Sequence, residues 1–148
     1  MLDEEIVLLD LKAENQTDAL EKIADALYEK GIVKDSYKNA VVNREKDYPT
    51  GLQTPIIGVA IPHTDAEHVN KSQIAVARLK DPVHFLQMGD GEDVSAKLIF
   101  MLALKEAHAQ LEVLQKLVAL IQDEEAVKSL LNLDDPHQIT QKLIDYGL

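Results

Sequence analysis

The 148-residue chain has no cysteine and no tryptophan. The first absence excludes disulfide staples, thiolate nucleophiles and cysteine-ligated metals. The second, with aromatics at only 4% of residues, leaves a core of Leu, Ile, Val and Ala. Cations are scarce too: 15 Lys and Arg stand against 26 Asp and Glu, a formal charge of −11. That balance argues against nucleic acid as a partner, because phosphate backbones require Lys/Arg-rich faces. No apolar run approaches the ~20 residues of a membrane span. Met1–Glu5 is acidic where a secretory leader is basic, so a cytoplasmic location is expected. The Gly-x-x-x-x-Gly-Lys-Ser/Thr, Gly-x-Gly-x-x-Gly and Gly-x-Ser-x-Gly patterns are missing. Nucleotide binding and serine hydrolysis therefore have no support in the sequence.

What is present suits one domain: 46% of the residues are hydrophobic, enough for a full core at this length. Ile6–Leu11 reads as a first strand. Leu20, Ile23, Ala24 and Leu27 recur at helical spacing within residues 16–30, with Asn15 or Thr17 as cap and Gly31 at the C′ position. A second helix is expected from about Asp35 to Glu45, with Tyr37, Ala40 and Val41 facing inward. Asp47–Leu52 reads as a turn cluster. Ile56–His63, Gln73–Leu79, Val83–Leu86 and Val94–Leu104 read as strands. The stripe Leu111, Leu114, Leu117, Val118 and Ile121 predicts a helix over 107–122. Asp123 is placed to cap a short helix to Leu131, and Asp135-Pro136-His137-Gln138 to open a last one. The class is α/β or α+β, with helices covering a mixed sheet.

The densest chemical signal is Ile56-Ile57-Gly58-Val59-Ala60-Ile61-Pro62-His63-Thr64. Pro62 lacks an N–H and fixes its own φ, so it ends strand pairing and holds the backbone just before His63. An imidazole presented at a strand end is able to act as nucleophile, leaving group and proton carrier near neutral pH. The plainer account is a loop histidine that ends a strand. His108 stands where the longest apolar strand passes into the longest helix, and strand ends are where α/β sites gather; its plainer account is a polar first-turn residue in water. Arg44 lies in a helix's last turn, where a cation favours the macrodipole without further purpose. It is also the forked donor suited to phosphate oxygens if it meets His63. His63, Asp65, Glu67 and His68 invite a metal reading, but their spacing is not that of two imidazoles on one helical face.

Asn43-Arg44-Glu45, Tyr48-Pro49-Thr50-Gly51-Leu52 and Gly58-Val59-Ala60-Ile61-Pro62-His63-Thr64, in that order and spacing, resemble the enzyme IIA domains of the bacterial sugar phosphotransferase system. The subtype is the fructose–mannitol–galactitol class. The Tyr48–Leu52 turn, Thr64-Asp65-Ala66 and Val83-His84-Phe85 are most similar to galactitol-type members. The resemblance covers nearly the whole chain and implies one enzyme IIA type-2 domain over 1–148, a mixed β-sheet sandwiched between helices. By the same resemblance His63 accepts a phosphoryl group at Nε2 from the phosphocarrier HPr and passes it to a cysteine of a cognate enzyme IIB during sugar or sugar-alcohol uptake. Arg44 would offset the phosphoryl charge, and His108 matches the second histidine that lends a donor. Thr50 and Thr64 are candidates for hydroxyl contacts to the phosphoryl oxygens. No cofactor or metal is implied, and the sugar would not touch this chain. Leu52, Ile56 and Val69 are candidate apolar docking residues around His63. The alternative implied role is a regulatory module of the nitrogen type, which reports phosphorylation state to partner proteins.

Overall fold

The computed structural model describes every residue from Met1 to Leu148. The elements run β1 (Val7–Leu11), α1 (Gln16–Glu29), α2 (Ser36–Asp47), β2 (Gly51–Gln53), β3 (Gly58–Ala60), β4 (Gln73–Leu86), β5 (Asp93–Ala103), α3 (Ala109–Gln122), α4 (Glu124–Asn132) and α5 (Pro136–Asp145). The strands form one sheet in the order β1-β4-β5-β3-β2. β1 lies parallel to β4 and β3 parallel to β5, whereas β4/β5 and β2/β3 are antiparallel. The expected α/β architecture, a mixed sheet between helices, is what forms.

Side-chain alternation along the two long strands divides the core. Ala75, Ala77, Leu79 and Phe85 of β4, with Ile99 and Met101 of β5, pack with Leu20, Ile23 and Leu27 of α1 and Tyr37 and Val41 of α2. Ile74 and Val76, with Leu98, Phe100 and Leu102, pack instead with Leu117 and Leu120 of α3, Val127 of α4 and Leu143 of α5. The buried apolar residues of β4 and β5 thus alternate between two layers, as a period of two requires.

The helix boundaries follow their caps. Asn15 accepts the N–H of Asp18 at 2.8 Å. Gly31 takes φ +73°, the left-handed C′ conformation that glycine adopts without steric cost. Asp123 accepts from the backbone of Glu125 and Ala126, and Asp135 from that of His137 ahead of Pro136.

Four expectations need correction. The turn cluster hides β2, which pairs Gly51 with Ala60 and Gln53 with Gly58. β3 starts only at Gly58, because the Thr54 hydroxyl accepts from the N–H of both Ile56 and Ile57 and folds that apolar pair into a tight turn. The two short strands predicted around Pro82 are one strand, β4, whose register against β5 shifts between Arg78 and Val83; a bulge lets a proline sit in a strand. In α3 the buried arc is Val113, Leu117, Leu120 and Ile121, and Leu111 is 66% exposed. That helix is apolar on more than one face, so periodicity alone permits either arc.

Candidate functional site

The region around His63 is built from three backbone segments. β3 ends at Ala60, but the chain continues beside β5: the Leu102 N–H donates to the Pro62 carbonyl at 2.9 Å, and His63 bridges to Leu102. Leu102 is fixed from its other side by Tyr37 of α2, whose buried hydroxyl donates to the Leu102 carbonyl at 2.6 Å. The Pro62–His63 step therefore rests on the central strand and, through it, on α2.

The His63 ring is half-buried, with Nδ1 2.9 Å from the Ile61 carbonyl. A carbonyl oxygen only accepts, so the proton lies on Nδ1 and Nε2 carries the lone pair. Burial holds the His63 pKa below its ordinary value; the Ile61 hydrogen bond raises it, the Arg44 charge lowers it and the Asp65 charge raises it. The ring is thus neutral and nucleophilic at neutral pH.

Arg44, in the last turn of α2, is the cation that acts on His63. Its Nη1 is 3.7 Å from Asp65 Oδ1, and its guanidinium lies 5.0 Å from the centroid of the exposed Tyr48 ring. The ion pair is long and its carboxylate 69% exposed, so it holds the guanidinium weakly. Sequence spacing alone did not pair Arg44 with His63; the return of the chain through β2 and β3 does.

The neighbouring Glu45 points the opposite way, into the protein. It is 4% exposed. Its Oε2 accepts the Thr50 N–H and its Oε1 the Thr50 hydroxyl, both at 2.7 Å. Burial pushes its carboxyl up to about 7, against the lowering effect of those two bonds. The Thr50 Oγ1 in turn accepts the Ile61 N–H at 3.2 Å. Its proton is therefore directed at Glu45. Thr64 is buried and follows His63 directly.

His108 is exposed just ahead of α3 and makes no side-chain cap bond. Topology puts it after β5, at the end of the sheet where parallel β3 delivers His63. No hydrogen bond joins the two rings. The groups of the metal reading do not converge: Asp65 pairs with Arg44, His68 Nδ1 meets the Ser36 hydroxyl at 2.8 Å, and His68 Nε2 lies 3.7 Å from Glu67 Oε1. Of the apolar docking candidates, Leu52 and Ile56 keep partial exposure, but Val69 is wholly buried. Its side chain belongs to the core on the α1–α2 face. Glu45 and Tyr37 escaped the sequence reading as site residues, and Asp65 was read only as a possible metal ligand, not as the partner of Arg44. Only the adjacency of Glu45 to Arg44 hinted at the first.

Comparison with known proteins identifies the family. Residues 1–146 match the family described as phosphoenolpyruvate-dependent sugar phosphotransferase system, EIIA 2. The galactitol-specific EIIA component of Escherichia coli K12 is 31% identical over 121 residues, covering 82% of this chain and 81% of that protein. The transcriptional regulator ManR of Bacillus subtilis is 42% identical over 100 residues, covering 68% of this chain and 14% of that protein. Among solved structures, the complex of enzyme IIAMTL and phosphorylated enzyme IIBMTL from Escherichia coli aligns with a TM-score of 0.80 at 25% identity, covering 98% of both chains. No helix is long and apolar enough to cross a membrane. The chain belongs to the enzyme IIA family of the phosphoenolpyruvate-dependent sugar phosphotransferase system and is a phosphotransferase component, a phosphoryl carrier of sugar uptake.

Proposed function

We propose that His63 is the phosphoryl acceptor, charged by phospho-HPr and discharged to a cysteine of a cognate enzyme IIB. The observation that carries this is the Nδ1 contact to the Ile61 carbonyl at 2.9 Å, which leaves Nε2 as the nucleophilic nitrogen of a half-buried ring. In the first step the bond between phosphorus and the donor histidine breaks as the bond to His63 Nε2 forms. The donor ring keeps the electron pair and takes a proton. In the second step a thiolate sulfur attacks phosphorus and His63 leaves as neutral imidazole, still protonated at Nδ1. Such transfers depend on in-line placement and charge stabilisation. Arg44 supplies the charge: its loose pair with Asp65 is exchangeable for phosphoryl oxygens. His108, exposed just ahead of α3, is the candidate second donor, and Thr64, next in the chain to His63, the candidate hydroxyl contact. Galactitol is the sugar-alcohol favoured by the relative from Escherichia coli.

Incubation with phosphoenolpyruvate, enzyme I and HPr should give a stoichiometric acid-labile, base-stable phosphate that moves to added enzyme IIB. A His63→Ala chain that still takes up phosphate refutes the assignment. A regulatory role draws support from the match to ManR. It uses the same His63, and it predicts phosphorylation by HPr without onward transfer to any enzyme IIB.

A further inference from the structure

Arg44 and Glu45 are consecutive in one helical turn, yet they do unlike things. The guanidinium of Arg44 meets Asp65 at the surface, near enough for its charge to lower the His63 pKa. The carboxylate of Glu45 is buried and engages no cation; both its oxygens go to Thr50. A buried carboxylate with no counter-charge is costly, so its purpose lies in what it holds.

From Glu45 a single line of hydrogen bonds leads to the acceptor ring. Thr50 donates its N–H and its hydroxyl to the carboxylate at 2.7 Å each. The Thr50 Oγ1 accepts the Ile61 N–H at 3.2 Å, and the Thr50 carbonyl shares that N–H at 3.3 Å. The Ile61 carbonyl accepts from His63 Nδ1 at 2.9 Å. Thr50 donates its hydroxyl to Glu45, so that proton points at the carboxyl group and the oxygen's lone pair is left for the Ile61 N–H. The Ile61 N–H and carbonyl belong to successive peptide units, so the path acts by fixing the Ile61 backbone and with it the carbonyl that holds the ring. The path crosses the seam between the last turn of α2, the start of β2 and the end of β3. It therefore locks the segment that carries Arg44 to the segment that carries His63.

We infer that Glu45, acting through Thr50 and Ile61, is a positioning residue that sets the tautomer and attitude of His63 relative to Arg44. This rests on the reading of His63 as phosphoryl acceptor, and it assigns Thr50 a place beneath the ring rather than against the phosphoryl group.

The test compares Thr50→Val, Thr50→Ser and Glu45→Asp with the parent chain, using phospho-HPr as donor. Thr50→Val keeps the shape and removes the hydroxyl. Its maximal transfer rate should fall roughly tenfold to a hundredfold, with the half-saturating concentration of phospho-HPr little changed. Its ¹⁵N-imidazole spectrum should show loss of the uniform Nδ1–H tautomer at His63. Thr50→Ser, which restores the hydroxyl, should recover both. Glu45→Asp withdraws the carboxylate by one methylene and should lose both in the same sense, so the inference stays testable should Thr50→Val fold poorly. Parent-like rates and tautomer spectra in folded Thr50→Val or Glu45→Asp overturn it, as does a Thr50→Ser chain no better than Thr50→Val. The spectra are read without any transfer assay. They therefore judge Glu45 separately from the result of His63→Ala, which judges the acceptor assignment.

Discussion

Replacing Glu45 by Gln should remove a specific pH dependence of stability. The carboxyl is 4% exposed, and burial raises it from the ordinary 4.5 to about 7. The folded state therefore holds the proton over a range where the unfolded chain has released it. Stability from this group is present in full below pH 4.5 and is lost as pH rises to about 7; above that both states are ionised and the loss is constant. At 1.36 kcal/mol per pH unit, the displacement amounts to about 3 kcal/mol. Gln is uncharged throughout. Its Oε1 accepts the Thr50 N–H, and its Nε2 donates to the Thr50 oxygen, so the packing is kept. Urea unfolding of both chains from pH 4 to 8 gives two curves whose difference isolates Glu45. The acidic groups Asp18 and Asp123, both shifted downward, contribute equally to both and cancel. The Gln chain should gain on the parent by about 3 kcal/mol across that interval and remain level beyond it. A difference that does not change with pH refutes the raised pKa. A parent that gains on the variant as pH rises refutes its direction.

Arg44→Ala should slow phosphoryl acceptance about a hundredfold, the usual consequence of removing one charge-stabilising donor at ~3 kcal/mol, while thermal stability barely moves. The same substitution should raise the His63 pKa in an NMR titration, since the Arg44 charge lowers it; an unchanged or lower value contradicts the proximity. Gly58→Ala should cut the melting temperature, because a Cβ there would stand 2.2 Å from the Ser95 carbonyl oxygen, and overpacking of this kind costs roughly 1–3 kcal/mol. Asp123→Ala frees the N–H groups of Glu125 and Ala126 and should cost about 1 kcal/mol in chemical unfolding.

Much of this molecule was legible because its signals are local. Asn15, Gly31, Asp123 and Asp135 mark helix ends through bonds made within a few residues. The position of His63 after an apolar strand and Pro62 is likewise local. What escaped depends on distant pairing. β2 exists because the chain returns to lie against β3, and three residues carry too little pattern to announce that. β4 runs through Pro82 because β5 supplies a partner on both sides of the bulge. The face of α3 is chosen by the sheet rather than by a helix that offers apolar residues nearly all round. The burial of Glu45 was not legible, since only the fold brings the Thr50 backbone to meet it inside.

If His63 is the phosphoryl acceptor, as proposed, its half-burial has a physical reason. An exposed imidazole would be partly protonated near neutral pH and lose its lone pair. A fully buried one would be out of reach of a donor and an acceptor protein. At intermediate depth, burial lowers the His63 pKa while Nε2 stays approachable. The cation beside it follows the same compromise. Arg44 meets Asp65 at 3.7 Å, a pairing weak enough to yield to a phosphoryl group. A tighter pair would withhold the charge from the incoming group, and an unpaired arginine would bind the phosphoryl group so well that onward transfer slows. Shortening this ion pair, by replacing Asp65 with Glu to bring the carboxylate nearer, should therefore reduce the rate of acceptance. Neutralising it with Asp65→Asn should instead slow discharge to enzyme IIB. Single-turnover transfer measured in both directions distinguishes the two effects, and equal changes in both directions would show that Asp65 does not govern the availability of Arg44.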